Sequence, residues 1–142
     1  MFKQQYKCDK CGQIKWYKPN EVPDKCACEL ETYNDWRLPT IEELFTLINY
    51  NKHNPACDLK DTTSSNYWNI NIYVSNSSYV WSVDFTSGYI SYYNKSIRLY
   101  VRCVRDGENG LEWSKTSDNI MIWEEALDYA DNLVSEVYYR GE

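Results

Sequence analysis

The spacing of hydrophobic and polar positions changes twice along this chain, and each change marks a different kind of element. From Thr40 the apolar residues Ile41, Leu44, Phe45 and Ile48 recur at helical spacing. Thr40-Ile41-Glu42-Glu43 also forms a capping box, in which a hydroxyl and a carboxylate satisfy free backbone donors at a helix start. Together they predict a short amphipathic helix from Ile41 to about Tyr50. Residues 49–65 turn polar around the breaker Asn54-Pro55 and read as a long loop. From Tyr67 the period falls to two. Tyr79, Trp81, Val83 and Phe85 alternate with Val80, Ser82 and Asp84, and Thr86-Ser87-Gly88 supplies a turn into Tyr89–Tyr93. Leu99, Val101 and Cys103 then oppose Tyr100, Arg102 and Val104. The pattern predicts an antiparallel meander with one buried and one wet face, with Trp68 and Trp81 in the core. Residues 106–110 are a turn, and Leu111–Lys115 is expected to pair back on Leu99–Arg105 within the chain. Helical spacing returns with Trp123, Ala126, Leu127, Ala130, Leu133 and Val134 on one face. Glu124, Glu125, Asp128 and Asp131 form its solvated face, and Ile122 caps its start weakly.

At 142 residues and 43% hydrophobic, the chain can bury one substantial core plus a small appendage. The expected division is a cysteine-rich lead at 1–32 and the main body at 33–142. A net charge of −6 argues against a general nucleic-acid binder, because phosphate affinity comes from Lys and Arg. No run approaches the roughly 18 apolar residues that a spanning helix needs. The start, MFKQQYKCDKC, lacks the apolar stretch of a signal peptide, so cytoplasmic synthesis is expected.

Four of the six cysteines fall in the lead, as Cys8-Asp9-Lys10-Cys11-Gly12 and Cys26-Ala27-Cys28. A C-x-x-C-G hairpin presents two thiolates to one ion, and a second pair completes the tetrahedral set that zinc favours. Cys8, Cys11, Cys26 and Cys28 are therefore the candidate ligands of a structural Zn2+ site. The C-x-C half is tighter than usual, and two disulfides or free thiols remain the competing reading, which a reducing compartment disfavours.

Three segments carry a resemblance. They are Asp35-Trp36-Arg37-Leu38-Pro39-Thr40 with Glu42-Glu43-Leu44, the run from Tyr67-Trp68 through Tyr100-Val101-Arg102-Cys103-Val104-Arg105, and Gly110-Leu111-Glu112-Trp113 leading to Trp123-Glu124-Glu125-Ala126-Leu127. Over residues 33–134, outside the cysteine-rich lead, the chain resembles the Lcl C-terminal domain family, named for the Legionella collagen-like protein. The resemblance implies an α+β, C-type-lectin-like fold related to formylglycine-generating-enzyme domains. Family members begin with the G-L-x-W strand and W-E-E-A helix and finish with R-C-V-R, whereas here the first two come last. That order implies either a circular permutation closed within one chain, which the short turn favours, or a homo-oligomer formed by swapping the C-terminal segment. A cysteine that family members often carry in the W-E-E-A helix is missing here, where Ala130 stands, which leaves Cys57 as the candidate partner of Cys103 outside the knuckle, against the commoner outcome in a cytoplasmic protein of a reduced, buried cysteine.

Tyr makes up 14 of the 142 residues. It suits strands and also recognition surfaces, where a rigid ring with a hydroxyl gives contact area at low entropic cost. The expected function is a non-enzymatic binding module for a protein or glycan ligand, and the resemblance implies an adhesion or phage receptor-binding component, associated with a virion if phage-encoded. Asn69, Asn71, Tyr73, Asn76, Tyr89, Tyr92, Tyr93, Asn94 and Tyr100 are its candidate ligand-binding residues. Calcium-dependent sugar binding is not supported, because the Glu-Pro-Asn and Gln-Pro-Asp triplets are absent. A second expectation is an assembly or regulatory protein docking a partner through the zinc knuckle. A formylglycine-generating-type oxidase is the third; the single histidine, His53, sits in a polar loop and offers no catalytic constellation.

Overall fold

A computed structural model describes residues 4–7, 14–17 and 32–140. The chain divides into two compact units, Met1–Thr32 and Tyr33–Glu142. In the first, β1 (Gln4–Lys7) and β2 (Ile14–Tyr17) pair antiparallel, with Lys7 opposite Ile14. Cys8, Cys11, Cys26 and Cys28 lie outside the described residues.

The second unit runs through β3 (Thr32–Tyr33), α1 (Ile41–Phe45), β4 (Asn66–Ile72), β5 (Tyr79–Asp84) and β6 (Tyr89–Asn94). It continues with β7 (Arg102–Gly107), β8 (Gly110–Thr116), α2 (Trp123–Asn132), β9 (Ser135–Glu136) and β10 (Tyr139–Arg140). Its two three-stranded sheets have the orders β4-β5-β6 and β10-β8-β7. Small antiparallel sheets with two helices make it α+β, as expected.

The capping box of α1 forms in full. Glu43 N–H donates to Thr40 Oγ1 at 3.1 Å, and Thr40 N–H donates to the Glu43 carboxylate at 2.8 Å. The helix stops at Phe45 rather than near Tyr50, because Thr46 turns its hydroxyl onto the Glu43 carbonyl at 2.6 Å. That local bond competes with the helical ladder. The next bonds tighten to three-residue steps, and Asn49 N–H then leaves for the Ala56 carbonyl at 2.8 Å. In α2, Trp123, Ala126 and Ala130 are buried as the spacing predicts, while Val134 falls beyond the last turn and is exposed. No side chain caps its start at Ile122; the Glu125 carboxylate instead accepts the Ile122 N–H at 3.2 Å.

The expectation of one buried and one wet sheet face is wrong. On one face of β4-β5-β6, Trp68 and Val80 join Leu99, Val101, Cys103, Trp123 and Ala126 in a first core cluster. On the other, Tyr67, Val83 and Phe85 join Leu44, Val104 and Trp113 in a second. The sheet is held between two apolar clusters, and water reaches its second face at one end and along the outer strand β6, where Ile90 is 37% exposed. Trp81 lies at that end, half-buried rather than in the core, while Trp68 is fully buried.

The segment before and within β7 follows the same rule. Leu99, Val101 and Cys103 enter the first cluster and Val104 the second, so neither side is wet. Arg102 is 2% exposed. Its guanidinium donates to the Ser114 carbonyl at 2.9 Å, the Thr62 hydroxyl at 3.0 Å and the Lys60 carbonyl at 3.0 Å. Burial lowers its pKa, since the acceptors around it are neutral. β8 pairs with β7 in the same chain, Val104 opposite Trp113 and Arg105 opposite Glu112, so the tail closes in cis. Cys57 and Cys103 are both free, buried in different clusters.

The motif residues around Asp35 tie these parts together. Arg37 forms a fork on Glu43 with two bonds of 2.8 Å and reaches Asp106 at 3.2 Å. Arg105 pairs with Asp35 at 2.7 Å and with the buried Glu112, which also meets Arg140. The Arg105 guanidinium lies 3.6 Å from the centre of the Tyr33 ring. Hydrogen bonds from Arg105 hold the Asp35 carboxyl below its ordinary range, and those from Arg37 do the same for Glu43.

Candidate functional site

The uncovered end of the second sheet face is aromatic. Tyr79 and Trp81 alternate onto it from β5, Tyr92 comes from β6 directly opposite Trp81, and Tyr73 closes over it from the connection after β4. Tyr73 stacks on Tyr92 with ring centres 4.3 Å apart and planes 7° from parallel. Trp81 meets Tyr73 edge-on at 5.0 Å and Tyr92 at 5.7 Å, and Tyr79 meets Tyr92 at 5.8 Å. Such mutual packing fixes the rings before any ligand arrives, so less freedom is lost on binding. Tyr92 is 45% exposed.

A polar cleft adjoins this platform. Asn94 stands opposite Tyr79 on the neighbouring strand and, with Ser77, Ser78, Lys95, Ser96, Ile122 and Glu124, lines an open cleft of about 450 Å³. Lys95 Nζ sits 4.8 Å from the Trp123 ring. Asn94 Oδ1 accepts the Ser96 N–H at 2.9 Å, which fixes the turn that forms the cleft wall. Hydroxyls, an amide and one charge of each sign therefore stand beside a set of fixed rings, an arrangement suited to an amphipathic ligand.

The candidate residues divide on structural grounds. Tyr73 and Tyr92 belong to the platform and Asn94 to the cleft. Asn76 is exposed at the tip of the β4–β5 connection, where its Oδ1 accepts the Ser78 N–H at 3.0 Å. Tyr89 is 73% exposed at the other end of β6, away from the stacked rings. The remaining four serve the fold. Asn69 is fully buried, donating to the Trp81 carbonyl at 2.8 Å and accepting the Asn71 N–H at 2.9 Å. Asn71 Oδ1 accepts the Ile41 N–H at 2.8 Å at the start of α1. Tyr93 packs against the first cluster, and Tyr100 lies 5.8 Å from the Tyr67 ring beside the second. Asn69 is fully covered while Asn71, Tyr93 and Tyr100 are half-buried, because alternation and polarity do not reveal which face another element covers.

Tyr79 and Trp81 were missed as site residues. Folding the hairpin about Thr86-Ser87-Gly88 already sets Trp81 against Tyr92, a signal available in the sequence. Among the described residues, no group of three His, Cys, Asp or Glu side chains is close enough to hold a metal. His53 is exposed, and burial pushes the Cys103 thiol up to about 12, which keeps it protonated. No helix among the described residues is long and apolar enough to cross a membrane.

These features define an α+β domain that presents a preformed aromatic sheet face beside a polar cleft. The chain belongs to the Lcl C-terminal domain family, whose model matches residues 3–105. The match takes in the cysteine-rich start, contrary to the expected span of 33–134, and ends at Arg105. Neither a curated protein nor a solved structure matches the chain significantly.

Proposed function

We propose that the chain is a non-enzymatic recognition module of the adhesion type, with a C-type-lectin-like second unit that holds its ligand on the aromatic platform. The observation that carries this reading is the stacked set of half-buried Tyr73, Tyr79 and Trp81 with exposed Tyr92, on the end of the second sheet face that the apolar cluster leaves uncovered. Exposed, prepacked rings suit the apolar face of a sugar or a protein side chain, and the Asn94 cleft supplies hydrogen bonds beside them. Family membership supports the same reading. His53 on an exposed loop and two cysteines in separate clusters offer no acid, base or redox pair.

The first unit is read as a structural zinc knuckle. The pairing of β1 with β2 supports it, because Cys8-Asp9-Lys10-Cys11-Gly12 falls within the connection between those strands, the position from which a hairpin presents two thiolates. The four ligands would be Cys8, Cys11, Cys26 and Cys28.

A screen of immobilised glycans and host-surface proteins tests the ligand reading. Tyr92→Ala and Trp81→Ala should each lose capture of any ligand found while keeping the far-ultraviolet spectrum of the parent. Capture retained by both folded variants would place the ligand elsewhere.

A further inference from the structure

The two edges of the β4-β5-β6 sheet are treated differently. Along β4, the neighbouring segment covers the backbone: Trp68 N–H donates to the Tyr100 carbonyl at 3.0 Å, Tyr100 N–H to Asn66 at 3.2 Å, and Ile70 N–H to Pro39 at 2.9 Å. Along β6, no described strand pairs with the outer edge. Lys95 N–H donates to the Ser78 carbonyl at 2.9 Å, which sets the phase of the β5–β6 ladder. Hydrogen-bonded pairs alternate along an antiparallel ladder, so Tyr89, Ser91 and Tyr93 bond inward to β5. The N–H and C=O groups of Ile90 and Tyr92 therefore point away from the sheet.

An open edge of this kind is a template for another strand, and proteins usually guard it with Lys, Pro or a bulge. β6 reads Tyr-Ile-Ser-Tyr-Tyr-Asn, with no charge, no proline and an unbroken register. Its sequence is complementary to itself. With Ser91 facing Ser91 of a second copy in antiparallel sense, each Ile90 meets the other copy's Tyr92 in a hydrogen-bonded pair, and each Tyr89 meets the other's Tyr93. These are aromatic–aromatic and aromatic–β-branched pairs, the favourable cross-strand classes, and no charge faces a charge. The register also covers Tyr89 and Ile90, which are 73% and 37% exposed in the single chain.

We infer that β6 pairs with β6 of a second copy of this chain, about a two-fold axis at Ser91. The result is a continuous six-stranded sheet in which the two aromatic platforms lie on either side of the seam. A repetitive or surface-displayed ligand is then held at two points, and avidity exceeds the affinity of either platform. The pairing rests on the strand edge and is independent of what the platform binds.

Sedimentation of the full chain over a wide concentration range is the first measurement, and reversible dimer formation is expected. Ser91→Cys is the second. Directly opposed residues in a non-hydrogen-bonded pair have Cα atoms about 4.5 Å apart, within disulfide reach. Mild oxidation should therefore cross-link Ser91→Cys into a dimer, while Tyr89→Cys, which faces residue 93 of the other copy, should not cross-link above the parent background. Ser91→Lys brings two like charges together and should weaken the dimer about fivefold; mixing it with Ser91→Glu should restore association. A parent that stays monomeric at every concentration would overturn the inference, leaving the edge to a peptide strand from another protein. A dimer that cross-links through Tyr89→Cys but not Ser91→Cys would overturn it equally.

Discussion

Replacing Arg102 with Met tests the claim that the R-C-V-R motif is internal scaffolding. Met keeps the unbranched stem among its neighbours but removes every donor. Arg102 is 2% exposed and spans from β7 to the Ser114 carbonyl, the Thr62 hydroxyl and the Lys60 carbonyl, at 2.9, 3.0 and 3.0 Å. A hydrogen bond from a charged donor contributes about 1.5–3 kcal/mol, and a buried acceptor left without a partner costs about 1–3 kcal/mol. Against these stands the cost of holding a charge out of water, about several kcal/mol, which the substitution relieves. The net expectation is a loss of about 3 kcal/mol, a large part of the roughly 5–15 kcal/mol that keeps a domain folded. With a slope of about 1–3 kcal/mol per molar urea, the midpoint should fall by about 1–3 M at unchanged slope. Native-state hydrogen exchange should quicken first in residues 59–62, the loop that Arg102 holds. A midpoint within about 0.3 M of the parent would refute the reasoning, because such a site would be satisfied without the guanidinium.

Other substitutions separate scaffold from surface. Tyr93→Ala should lower the melting temperature, since Tyr93 packs on the first cluster, whereas Tyr92→Ala should change it much less; equal shifts in thermal scans would contradict the assignment of faces. Glu43 has its pKa lowered by hydrogen bonds from Arg37, so its contribution is present above the unfolded value near 4.5 and is lost as pH falls through the folded one. Glu43→Gln should cost about 1 kcal/mol at pH 7, discounted for partial exposure, and should flatten the decline in stability in acid; urea melts at pH 7 and pH 3 check both. At Gly107 an added Cβ would lie 2.5 Å from the Glu112 carboxyl carbon. Gly107→Ala should therefore disturb the Arg105–Glu112–Arg140 group and lower stability, and an unchanged urea midpoint would contradict that crowding. Elemental analysis of the purified chain should find one zinc per molecule, lost in Cys11→Ser; native-state mass spectrometry showing the thiols oxidised would count against the knuckle.

Much of the frame was legible because it depends on neighbours in sequence. The Thr40–Glu43 capping box, the hairpin about Gly88 and the apolar stripe of α2 are local patterns with local causes. What escaped depends on coverage by distant segments. Arg102 reads as surface because arginine is seldom fully buried, yet the loop at residues 60–62 folds over it and supplies acceptors. Asn69 and Asn71 read as recognition residues because they are polar, yet Asn69 accepts the N–H of Asn71 within β4 and Asn71 accepts the Ile41 N–H at the start of α1. Trp81 reads as core because it is large, and only the end of the second cluster decides otherwise. Within the candidate site, the Tyr-rich character was visible from composition, while the selection of Tyr73, Tyr79, Trp81 and Tyr92 required the ladder register.

The in-chain hairpin of β7 and β8 has a consequence for biosynthesis. Trp113 completes one apolar cluster and Trp123, Ala126 and Ala130 complete the other, so both need residues made after Arg105. A nascent chain that has reached only Arg105 carries the whole family-matched stretch but leaves Trp68, Val101 and Val104 without their covering partners. Closure of the second unit must wait until residues 111–130 have left the ribosome. Until then the unpaired strands are the form most exposed to misassembly and the one that a chaperone would meet.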